Sequence, residues 1–105
     1  MTEGERQEIK AKLIELGFWG VNDLGNPVTD RYATDKLHNR MEGKLTPGFA
    51  VVSTVFVSDT PSRQIHIVRG EFTYPITIGD THNEAICLAA LLLPEFLRQH
   101  PEYAA

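Results

Sequence analysis

The chain has 105 residues, and its ten Lys and Arg stand singly against fourteen Asp and Glu, for a net charge of −4. No basic run is present of the kind that tracks a nucleic-acid backbone, and one cysteine cannot form an internal disulfide. With 42% hydrophobic and 23% charged residues, the composition is that of one globular domain over residues 1–105, burying roughly 60 to 70% of the surface its unfolded chain exposes.

Thr2 and Glu5 have the spacing of a capping box, and Ile9, Leu13 and Leu16 repeat behind them at helical intervals up to Gly17, a natural C-terminal cap. A first helix is predicted over about residues 3 to 16, with Phe18 and Trp19 packing just beyond its end. The stretch "GVNDLGNPVTDRY" (20–32) concentrates Gly, Asn, Asp and Pro, which is turn chemistry. Its Val21, Leu24, Val28 and Tyr32 are the side chains expected to pin this loop to the core. From Thr34 onward Leu37, Met41 and Leu45 are four apart, which predicts a short helix interrupted near Gly43 and stopped by "TPG" (46–48).

"FAVVSTVFVS" (49–58) is β-branched and aromatic on both alternating sets, the pattern of a central strand. After a turn at "DTPS" (59–62), "RQIHIVRG" alternates Ile65 and Ile67 against Gln64, His66 and Val68. "EFTYPITIG" then puts Phe72, Tyr74, Ile76 and Ile78 on one face and Thr73, Pro75 and Thr77 on the other. Pro75 cannot donate to a ladder, so this strand is an edge or carries a bulge. Short turns make the three strands an antiparallel meander.

The last helix opens at "DTHNEA", where Thr81 and Glu84 form a second capping box, and Pro94 is expected to end or kink it. Its run "AICLAALLL" (85–93) is far shorter than the ~20 residues of a membrane span, and "MTEGERQEIK" lacks the pattern of a signal peptide. The expectation is a cytoplasmic protein without a membrane partner. The element order is α-(α)-β-β-β-α, an α+β fold with a three-stranded antiparallel meander flanked by helices. So apolar a closing helix needs cover on several sides, and Leu91, Cys87 and the tail residues Phe96, Leu97 and Tyr103 exceed what the sheet and first helix supply. That surplus predicts a homo-oligomer, most simply a two-fold dimer, the alternative being that the loop at 20–32 and the tail supply the missing cover within one chain.

His38, His66, His82 and His100 fall in four different elements without metal-ligand spacing, so no metal is expected, and no cofactor fingerprint occurs. A Cys87 and His82 dyad is set aside because a thiol one turn into an apolar helix does not meet water. His82 and Asn83 stand at a helix amino terminus, where free N–H groups favour an anion. On the sheet, Arg63, His66, Arg69 and Tyr74, with Gln64, Thr73 and Thr77, have the chemistry to stack a base and pair a phosphate, against the simpler reading of a solvated face.

The order helix, meander, helix resembles the double-stranded-RNA-binding domain in topology. That family sets a basic amino end of its last helix over phosphates, whereas "DTHNEA" has no lysine, so its activity does not carry over and nucleic acid is not an expected partner. "YATD" (32–35) opening a short helix, followed by a meander and "NEAICLAALLL", is similar to small phage and prophage proteins of the α-β-α sandwich type over residues 32–93. Those proteins share a Tyr-Ser-Thr-Asp-like helix start and an Ala-Ile-x-x-Ala-Ala-Leu closing helix. The resemblance implies a non-enzymatic phage-type accessory protein that acts by binding, as a sponge for a nucleotide-like anionic host immune signal. The alternative is an inhibitor or adaptor of a host defence enzyme with no small ligand, and a small enzyme comes third. A ligand site should converge two arginines on an aromatic; an inhibitor should show an acidic or apolar patch.

Overall fold

The computed structural model describes residues 1–56 and 62–105. Helix α1 (Glu3–Glu15) starts at Thr2, whose hydroxyl accepts the Glu5 N–H while the Glu5 carboxylate accepts the Thr2 N–H. It ends at Leu16, and Gly17 takes φ +83, a left-handed turn that a side chain would strain. Helix α2 (Arg31–Glu42) begins earlier than the apolar spacing indicates, because the Asp30 carboxylate accepts from the N–H groups of Tyr32 and Ala33.

Strands β1 (Ala50–Phe56), β2 (Ser62–Arg69) and β3 (Phe72–Gly79) form an antiparallel meander in the order β1-β2-β3. The element order is α-α-β-β-β-α, as the sequence indicates. β2 is therefore central, and β1, despite its apolar composition, is an edge. The edge of β1 is closed at Val51, whose N–H donates to Glu42 and whose carbonyl lies 2.6 Å from His38 Nε2. The expected turn at 59–62 falls, up to Ser62, outside the described residues, as do Val57 and Ser58 of the expected first strand.

Val51, Ile65 and Ile67 form the buried face of the sheet, whereas Val52, Gln64, His66 and Val68 on the other face are half-exposed. A register shift between Ile65 and His66 pairs His66 with Pro75 but Ile65 with Thr77, so β3 holds one residue more than simple alternation allows. As a result Thr77 shares the face of Ile65, and Ile78 takes the place beside Gln64 that the sequence pattern assigns to Thr77.

Helix α3 (His82–Gln99) packs across all three strands, α2 packs on α3 and β1, and α1 packs on α3. Pro94 does not end the helix, which continues to Gln99; buried Leu93 and Phe96 hold it on the core on either side, which offsets the hydrogen bond proline cannot donate. Thr81 caps α3 by accepting the Glu84 N–H at 3.1 Å; among the described residues the Glu84 carboxylate makes no return bond, so this is half of the expected box. The start of α3 lies so close to β3 that a Cβ on Gly79 would stand 2.7 Å from the Ala85 backbone. Cys87 is fully buried, and burial pushes its thiol up to about 12. Beyond α3, a 3-10 turn (Pro101–Tyr103) brings Ala104 beside Leu45 as an isolated bridge.

Candidate functional site

The segment between α1 and α2 is fixed by polar groups and by a few buried side chains. Phe18, Trp19, Pro27 and Val28 enter the core. The Asp23 carboxylate accepts from both Arg40 guanidinium nitrogens at 2.6 and 3.0 Å, from Lys36 at 3.1 Å and from the Gly20 N–H at 2.7 Å. Arg40 also donates to the Phe18 carbonyl at 2.9 Å and lies 5.0 Å over the Trp19 ring. Hydrogen bonds from Arg40, above all, hold the Asp23 carboxyl well below the usual carboxylate range. Asn26 closes an Asx turn on the Val28 N–H, and the buried Thr34 hydroxyl donates to the Pro27 carbonyl.

This fixed backbone presents three large apolar side chains to water: Val21 is 80% exposed, Leu24 89% and Tyr32 90%. The sequence reading makes all three anchors of the loop; Val28 alone of its four residues plays that part. Leu24 and Tyr32 line an open cleft of about 600 Å³ with Asn22, Asp23, Ala33, Asp35, Lys36 and Asn39. The cleft thus joins two exposed apolar side chains with amide, ammonium and carboxylate groups. The available signal was the apolar content of a turn-rich loop, larger than its span needs for anchoring.

A second polar cluster lies at the mouth of α3. His82 Nδ1 is 3.1 Å from the Ser53 hydroxyl, and His82 Nε2 is buried without a partner among the described residues. Burial depresses the His82 pKa, and the neighbouring Arg31 and Arg63 guanidinium groups add to this, so both effects favour the neutral ring.

Of the residues the sequence singles out, Arg63, His82 and Asn83 share this end of the molecule: Arg63 pairs with Gly79, just ahead of α3. His66 lies on the opposite sheet face, 3.3 Å from the Thr54 hydroxyl. Arg69 sits at the other end of β2, 5.3 Å over the Phe49 ring. Tyr74 packs against Phe96 and His100 on the helix side. Arg63 and Arg69 are therefore about 20 Å apart along the strand, and the six residues do not form one pocket. Among the described residues, no arginine lines any of the four cavities, and no group of His, Cys, Asp and Glu has the arrangement of a metal site. Among them, too, no helix is long and apolar enough to cross a membrane.

Compared with protein-family models, with curated proteins and with solved structures, the chain matches none.

Proposed function

We propose that this chain acts by binding another protein, as a non-enzymatic adaptor or inhibitor, through the cleft between Leu24 and Tyr32. The observation that carries the reading is that a hydrogen-bonded segment before α2 and the first turn of α2 hold Leu24 and Tyr32 almost wholly in water. Apolar side chains on a mobile loop would pay an ordering cost on binding; here the Asp23, Arg40 and Lys36 cluster fixes the backbone beforehand. Large apolar side chains so exposed around a concave surface are characteristic of protein contacts. The cleft suits an extended segment of a partner with an apolar anchor between Leu24 and Tyr32, its backbone served by the Asn22 and Asn39 amides. The resemblance of residues 32–93 to phage accessory proteins gives this reading its context, the masking of a host protein.

Selection from a random peptide library, followed by calorimetric titration of the winners, tests the proposal. Peptides with an apolar anchor should bind, and Leu24→Ala or Tyr32→Ala should weaken them about tenfold or more, equivalent to roughly 1.4 kcal/mol, with Arg63→Ala neutral. Winners that bind the Leu24 and Tyr32 variants as well as the parent would refute it.

The placement of Arg63 beside Gly79, just ahead of the first turn of α3, favours a second reading, a nucleotide-like anion at the mouth of α3 held by Arg63 and the free N–H groups of that turn. Titration with linear and cyclic nucleotides, on the parent and on Arg63→Ala, separates it from the first.

A further inference from the structure

An antiparallel sheet with helices on one face normally turns its polar and charged side chains to water on the other. Here the charges are on the wrong side. The three strands hold two charged residues, Arg63 and Arg69, and the register puts both on the face of Ile65 and Ile67, towards the helices. The open face carries no Lys, Arg, Asp or Glu, in a chain with ten of the first pair and fourteen of the second. Thr54, Gln64, His66 and Thr73 stand on it around Val52 and Val68. Helices α2 and α3 pack on the sheet from the side of Val51, Ile65 and Ile67. Among the described residues no element lies over the open face, where Thr54, Thr73 and Ile78 are exposed.

We infer that two copies of the chain meet on this open face, sheet against sheet, about a two-fold axis that passes over His66. Two properties of the face select a second copy as its occupant. At a net charge of −4 two copies repel, and an uncharged face lets them approach without setting like charges opposite one another. A charged partner finds no complementary charge there. The polar groups of the face also pair with themselves: a Thr hydroxyl, a Gln amide and a His imidazole each donate and accept, so donors meet acceptors when the face meets its own copy. Lysines or carboxylates would not allow this. His66 and Thr54 already stand 3.3 Å apart as such a pair within the protomer. His66 lies midway along the central strand, with Val52 on one side and Pro75 on the other, so an axis centred on the face sets it beside the same residue of the second copy. Val52 and Val68, half-buried next to it, supply the apolar part of the contact between the sheets. Three strands of this length offer roughly 500 Å² per protomer, below the ~800 Å² of a standard interface, so association is expected at tens of micromolar protein. The Leu24 and Tyr32 cleft lies on another part of the surface, and the inference does not depend on it.

Sedimentation equilibrium from about 5 to 300 µM protein tests this. The parent should dimerise. His66→Lys and His66→Glu, at a half-exposed position, should each keep the fold by circular dichroism and weaken the dimer about tenfold or more, because the axis sets the new charge against its own copy. An equimolar mixture of the two should associate again, as a heterodimer. Thr54→Lys, exposed on the same face, should also weaken the dimer, whereas Leu92→Glu on α3 should not. A parent that stays monomeric to ~300 µM overturns the inference. So does a dimer indifferent to the His66 and Thr54 variants, or a mixture no tighter than its components.

Discussion

At the scale of single residues, His82 shows how position decides the use of a polar side chain. At the first position of α3 its ring reaches back to Ser53 on β1, and burial, with Arg31 and Arg63 nearby, disfavours its charged form. Because its pKa in the folded state lies below the ordinary 6.5, the unfolded chain takes up this proton first as pH falls. Its contribution to stability is complete above about pH 6.5 and is lost as pH falls from there through the depressed folded value. Urea unfolding between about pH 5 and 8 should show this slope, and His82→Gln should flatten that part of the profile; an unchanged slope in the variant would assign it to other groups. Leu93 and Leu92 offer a second contrast, since the first is buried and the second half-exposed. Leu93→Ala or Ile86→Ala should cost about 2 to 5 kcal/mol and Leu92→Ala less than about 1 kcal/mol in the same unfolding measurement. Equal losses at 92 and 93 would contradict the orientation of α3.

At the scale of elements, Thr81 holds the start of α3, and its bond to the Glu84 N–H is the part of the capping box present there. Thr81→Ala should lower stability by about 0.5 to 2 kcal/mol while Thr81→Ser and Thr81→Asp keep it, read by thermal or urea unfolding. Elements of this kind were legible in the sequence because caps and periodicity act locally: Thr2 with Glu5, the helical spacing behind them, Pro75 as a sign of a bulged edge. The misread features depend on contacts distant in sequence. A bulge shifts the parity of β3 by one residue, which alternation alone cannot register, and so moves Thr77 off the face of His66. The place of β1 at the edge follows from strand order and from Glu42 and His38 closing Val51, neither of which is written in "FAVVSTVFVS". Pro94 lies within a helix because Leu93 and Phe96 are buried, a tertiary effect that overrides a local preference.

At the scale of the whole molecule, the exposed large apolar side chains are not spread evenly: Val21 and Leu24 before α2 and Tyr32 in its first turn stand together around backbone held by Asp23 and Arg40. The sequence reading counted Cys87 and Phe96 as surplus, yet both are buried within the one chain, whereas Leu92 is 47% exposed; it also took Val21, Leu24 and Tyr32 as anchors, since an apolar residue reads as an anchor until its neighbours are known. The most direct measurement of the central claim is photo-crosslinking in the source cell, with a photoreactive residue at position 24 or 32 and controls at exposed Glu71 and by Asn39→Ala in the cleft lining. The account predicts a protein adduct of defined mass from positions 24 and 32, absent from position 71 and reduced by Asn39→Ala. Crosslinking that is equal at all three positions, or none at 24 and 32, would contradict it.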